Sequence, residues 1–294
     1  MKITLFLMSQ KGFKTLKSII ANGFSGEIDF VVGSRDKNVE NDFYDEIRML
    51  CKEAGIRHYN RHDDFKISSE YTLAISWRWM IRDLQSRLIV FHDSLLPKYR
   101  GFAPLVNMLI NREPQIGVTA IFAEEKFDTG SIICQSATEI QYPITIAEAI
   151  EKVSANYEEC VLFILNQLKS GNQLSAQPQN EADATYSLWR DEDDYFINWE
   201  HSAAEICNFI NAVSSPYKGA AAVMNGTVVR ITDAEVVEDL KIENRDCGKV
   251  LMMEDGYPLV VCRTGILKIK SLKDDATGES LLPLKNFRIR FKNK

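Results

Sequence analysis

The sequence predicts an α/β fold, with a mostly parallel sheet covered by helices and then a smaller β-rich domain. Two observations carry this. Through about residue 140, short apolar runs alternate with segments whose apolar residues recur at helical spacing, the mark of repeated strand–helix units. Between Tyr217 and Leu272, short runs are instead separated by Asn225-Gly226, Asp255-Gly256 and Thr264-Gly265. Asn-Gly and Asp-Gly are hairpin turn signals. The change of character places the domains at 1–180 and 181–294.

The elements follow in order. Residues 3–8 form a first strand, and 13–22 a helix that buries Leu16, Ile19 and Ile20 and ends at Gly23. A second strand covers 28–32. Residues 41–54 form an amphipathic helix with Phe43, Ile47, Leu50 and Cys51 on one face. Residues 57–64 read as a polar loop in which His58 and His62 have no metal-ligand spacing. Strands follow at 72–76 and 88–91, the latter ending at His92. Pro104 opens a helix, as proline can in a first turn. Strands at 117–123 and 132–135 flank the turn Asp128-Thr129-Gly130. Thr145 caps a long helix to about residue 168, and 172–180 reads as an exposed connector. Ala203 to Val213 is a short helix, and the glycine-turn region is a small, OB-like β domain. The first domain is thus Rossmann-like, and ligands bind such sheets beyond the carboxyl ends of the strands. Residues 9–12, 33–35, 76–81 and His92 fall there. No glycine-rich fingerprint follows the first strand, so no nicotinamide is expected.

Hydrophobic content of 45% and charged content of 26% are those of a soluble globular protein. A net charge of −6 speaks against bulk nucleic-acid binding, which wants a basic face. The apolar N-terminus is too short for a signal peptide and lacks its cleavage site, and no run is long enough to span a membrane. The six cysteines fall singly, as reduced thiols in a cytoplasmic protein do, with no zinc spacing.

The most informative stretch is 88–135. It carries His92, Ser94-Leu95-Leu96-Pro97, Arg100-Gly101, Pro104, Gly117-Val118-Thr119, and Asp128 with Gly130, in that order. This resembles the signature of the formyltransferase family, whose members act on methionyl-tRNA, a ribonucleotide amine or amino sugars. Residues 197–199, 216–217 and 219–220 resemble the C-terminal domain of some members. The resemblance implies a formyltransferase fold, 10-formyltetrahydrofolate as donor, and His92 and Asp128 as the catalytic pair. The types suit the work, since histidine exchanges protons near neutral pH and a carboxylate orients its ring. Asp93 reads as a local turn residue.

One position departs from the family. Its catalytic Asn, two before the histidine, is Val90 here. Valine has no N–H for the formyl oxygen, and losing one oxyanion donor costs about 10²–10³ in rate. Ser94 or a backbone amide could substitute. An acetyl group from acetyl-CoA could instead lay its methyl on Val90, or the chain could bind without catalysing. Val90 could also be an ordinary core residue. By the resemblance, Trp77, Trp79, Met80, Ile81 and Val90 line the donor. Gln10, Lys11, Ser94, Lys98, Arg100 and Gly101 line the acceptor, with Lys98 and Arg100 suited to phosphate. The loop after the second strand is short and of mixed charge, unlike the basic insertion of the tRNA enzymes. The expected acceptor is therefore a nucleotide-linked amino sugar, a glycan precursor, with methionyl-tRNA ranked lower. No membrane or nucleic-acid partner is expected, and a homodimer stays open.

Overall fold

The computed structural model describes residues 2–81 and 86–294. Two units emerge. The first holds Met1–Leu105, Pro114–Ile140 and Glu148–Leu188; the second holds Val106–Glu113, Gln141–Ala147 and Trp189–Lys294.

The first unit opens with β1 (Ile3–Leu7), α1 (Ser9–Ala21), β2 (Ile28–Gly33), α2 (Tyr44–Glu53), β3 (Arg57–Asn60), β4 (Tyr71–Ile75) and β5 (Arg87–His92). It continues through β6 (Arg100–Gly101), β7 (Gln115–Phe122), β8 (Ile132–Glu139), most of α4 (Ile146–Lys169) and β9 (Tyr186–Ser187), while the intervening α3 (Pro104–Ile110) falls mostly in the second unit. Seven strands make one sheet in the order β3-β2-β1-β4-β5-β7-β8. Pairing is parallel from β3 to β5 and antiparallel for β7 and β8. The mostly parallel sheet is the predicted one. β1 and β4 are buried along their whole length, which is why they read as unbroken apolar runs.

The order of strands reverses between β1 and β4, the place where such sheets open a crevice. There the Ser9 hydroxyl donates to that of Ser76 at 3.0 Å. Two expectations are corrected. The first helix begins at Ser9 rather than at residue 13, so residues 9–12 are its first turn. Arg57–Asn60, read as loop, is the edge strand β3. An edge strand exposes part of its surface, so Arg-His-Tyr-Asn carries no apolar signal. The connector is also less idle than its composition suggests. Gln177 exchanges backbone hydrogen bonds with Ile132, and residues 181–188 stay with the first unit because β9 pairs with β6.

The second unit contains α5 (Ala203–Val213), β10 (Ala220–Met224), β11 (Thr227–Val237), β12 (Val250–Glu254), β13 (Tyr257–Val261), β14 (Ile266–Asp274) and β15 (Phe291–Lys292). They form a six-stranded antiparallel sheet, β12-β13-β14-β11-β10-β15. Asn225-Gly226 and Asp255-Gly256 are two-residue hairpin loops. All four residues have positive φ, from 51° to 85°, as this turn type requires. Ser202 caps α5, accepting from the Glu205 amide while the Glu205 carboxylate accepts from Ser202 in return. Trp199 is buried, its ring 5.5 Å from that of Phe291. Among the described residues no helix is long and apolar enough to cross a membrane.

Candidate active site

His92 is the last residue of β5 and lies opposite Thr119 of β7. Side chains alternate along a strand, so Val90 shares its face. The His92 ring is held from one side. Its Nε2 lies 2.7 Å from the Tyr99 carbonyl oxygen. A carbonyl can only accept, so Nε2 carries a proton. Nδ1 faces Asp128 Oδ1 at 3.6 Å, and the two side chains keep only 8% and 13% of their surface. That separation exceeds a direct hydrogen bond but is within ion-pair reach. One added proton between Nδ1 and Oδ1 would turn the contact into a charge-assisted bond.

Asp128 is fixed by its surroundings. Its Oδ2 accepts from the Gly101 N–H at 2.8 Å. The Gln179 amide donates to the carbonyls of Asp128 and Gly130, at 2.7 and 2.8 Å. Gln179 Oε1 in turn accepts from Arg100 Nε and Nη2 at 3.1 and 2.7 Å. Arg100 also donates to both oxygens of Glu181, at 2.9 and 2.8 Å. The guanidinium lowers the Glu181 carboxyl below its ordinary value, chiefly through those hydrogen bonds. The Ser94–Pro97 turn is pinned as well. Thr119 Oγ1 donates to the Ser94 carbonyl and accepts from the Leu96 amide, and Gln135 donates to Thr119 and to the Leu96 carbonyl.

These contacts correct several expectations. Arg100 is 1% exposed and fully engaged, so it organises the Asp128 turn and is not free to hold phosphate. Ser94 is fully buried and donates to the Lys98 carbonyl, so it is not a substitute oxyanion donor. Gly101 acts through its backbone: its φ is 103°, and an added Cβ would lie 2.5 Å from the Ser187 carbonyl oxygen. Lys11 is paired with Asp93, and Gln10 donates to Glu151 at 2.8 Å. Lys98 is exposed. Asp93 opens the bend after β5 but does more than shape it, since it accepts from both Lys11 and the Tyr157 hydroxyl. Burial alone would raise its carboxyl, but the Lys11 ammonium, with help from Tyr157 and His92, holds it below the ordinary value. Burial, and then the Asp93 charge, push the Tyr157 phenol well up.

The residues expected at the donor divide. Trp77, Ile81 and Val90 pack, half-buried, on a core of Phe6, Phe30, Val32 and Ala74. Val90 continues the sheet row Val32, Phe6, Ala74, so it is a packed strand residue as well as a neighbour of the site. Trp77 meets Phe6 edge-on at 4.9 Å and Trp79 at 5.1 Å. Arg61 covers the Trp79 ring at 4.0 Å, and Met80 is 59% exposed. The Trp77 indole N–H is buried and finds no acceptor among the described residues. A pterin fits this surface: its flat ring matches the half-buried apolar face, and its oxygen or ring nitrogens would satisfy that donor.

Sequence reasoning missed Asp93 with Tyr157, and Gln179 with Glu181. They act across 51 to 81 positions, and no local pattern marks them. The Arg100 network carries a prediction. Arg100→Met should lower stability by about 2–3 kcal/mol, since hydrogen bonds to charged groups each contribute about 1.5–3 kcal/mol. It should also reduce turnover, because the Asp128 turn loses its support. A urea melt with unchanged midpoint would count against this role.

The described residues thus form an α/β unit in which His92 and Asp128 are apposed beyond the end of β5, and a small antiparallel β unit. Comparison with known proteins gives the family. Residues 48–163 match the formyl transferase family model and residues 190–282 match that of the formyl transferase C-terminal domain. The chain belongs to the formyltransferase family. It is 30% identical over 189 residues to a methionyl-tRNA formyltransferase of Fusobacterium nucleatum, covering 64% of this chain and 60% of that protein. The match therefore spans less than two thirds of that relative's length. The fold is similar to an N-formyltransferase from Helicobacter canadensis in complex with folinic acid and dTDP-3-aminofucose. That match has a TM-score of 0.67 at 16% identity, covering 92% of this chain and 98% of the other. It is also similar to a sugar 3N-formyl transferase crystallised with dTDP and 5-N-formyl-THF, with a TM-score of 0.65 at 18% identity, covering 92% and 97%.

Proposed function

We propose that this protein transfers a formyl group from 10-formyltetrahydrofolate to the amine of a small acceptor, a nucleotide-linked amino sugar. The apposition of His92 Nδ1 and Asp128 Oδ1 carries this reading. An amine that gains an acyl group must lose a proton, and this pair sits at the strand end ready to take it. The bound folate supplies the formyl group. Trp77, Ile81 and Val90 offer the half-buried apolar surface for its ring, and Trp77 Nε1 a donor to orient it. Burial of the pair keeps water from competing for the formyl group. The acidic balance of the chain favours a small acceptor over tRNA. Exposed Lys98, rather than Arg100, is the residue of the basic loop placed to meet a phosphate.

Val90 supports a second reading, an acetyl donor, because valine has no amide N–H and an acetyl methyl could rest on it. One substitution separates the two. With formyl, Val90→Asn should hold or raise kcat, by restoring an oxyanion donor worth about 10²–10³. With acetyl, the same change should lower kcat by placing an amide against the methyl. Thermal melts with folates, CoA thioesters and nucleotide sugars test binding directly, since a ligand held only by the folded state raises Tm. Stabilisation by CoA thioesters and not by folates would overturn the formyl reading.

A further inference from the structure

His92 lies between two residues that are gripped from outside the strand. On one side, Asp93 accepts from the Lys11 ammonium of α1 and from the Tyr157 hydroxyl of α4. On the other, Phe91 stacks on the Tyr157 ring at 6.0 Å and 28°. The Tyr157 hydroxyl also lies 3.4 Å from the Phe91 carbonyl oxygen. Lys11 and Asp93 keep only 12% and 15% of their side-chain surface, and Tyr157 keeps 1%. Such a buried ion pair is expensive to desolvate and is weak evidence for stability. Its value lies elsewhere. α1 and α4 both reach the residue after the ring, and α4 also reaches the residue before it.

We propose that Lys11, Asp93 and Tyr157 form a clamp that positions His92 against Asp128. This rests on the reading of His92 as the proton acceptor. They are positioning residues: they hold the strand end, while Tyr99, through its carbonyl, and Asp128 are the groups that touch the ring. A ring displaced by about 1 Å can lose up to 10² in rate with binding intact. The clamp should thus govern kcat and spare KM.

The test compares Lys11→Met, Lys11→Arg, Asp93→Asn and Tyr157→Phe. Readouts are steady-state transfer and the NMR signal of the His92 Nε2 proton, which is bonded to the Tyr99 carbonyl. Lys11→Met and Asp93→Asn should lower kcat about tenfold, leave KM within about twofold, and shift or broaden that signal. Lys11→Arg should restore most of the rate, because the charge and the reach remain. Tyr157→Phe keeps the ring on Phe91 and removes only the hydroxyl; its smaller loss covers the case in which Asp93→Asn does not fold. Folded variants with unchanged kcat and an unmoved His92 signal would overturn the clamp. The NMR arm needs no turnover. A wild-type protein inactive with every acyl donor would sink the proposed function, while the signal would still decide the clamp.

Discussion

Replacing His92 with alanine should lower acyl transfer about 10²–10⁴-fold while leaving the fold intact. The range is the usual worth of a positioned acid–base group. The fold survives because the ring, though buried, contributes one hydrogen bond, to the Tyr99 carbonyl, and sits at a strand end. Asp128→Ala should cost a similar factor. The double variant should be little worse than either, since each residue works only through the 3.6 Å contact with the other. Single-turnover transfer measures all three without interference from product release. Additive losses would mean that the two residues act separately.

Gly130→Ala should be the most damaging small substitution in the Asp128 turn. A Cβ on Gly130 would be driven onto the Phe122 carbonyl oxygen, which is backbone and cannot swing aside. The Gly130 carbonyl is also one of the two that the Gln179 amide holds. We expect a loss of about 3 kcal/mol, the upper range for forced overpacking, with loss of activity as Asp128 moves. Gly26→Ala is the control, because nothing lies within 4 Å of the added carbon. It should stay within about 0.5 kcal/mol of wild type. Urea melts of both variants check the difference.

The parts that could be read from the chain are those with local or periodic causes. β1 and β4 declared themselves because burial on both faces demands an apolar run. The two-residue hairpins did so because their positive φ values call for Asn-Gly and Asp-Gly. β3 did not, since a strand on the sheet's edge can be polar. The candidate site shows the same division. His92 and Asp128 were visible through a motif, and they meet because β5 and β7 are neighbours. Arg100 was misjudged because a basic residue in a glycine loop reads as solvated; its partners, Gln179 and Glu181, lie about 80 residues away. Asp93 was misjudged for the same reason, its partners coming from two distant helices. Val90 belongs to both descriptions, a member of the packed row across the sheet and a neighbour of the site.

The most direct test is the mass of the product formed when the purified protein is given a nucleotide-linked amino sugar with 10-formyltetrahydrofolate and acetyl-CoA together. The expected product is a formyl adduct on the sugar amine, absent when His92 is alanine. An acetyl adduct, or formylation of methionyl-tRNA in preference to the sugar, would contradict it.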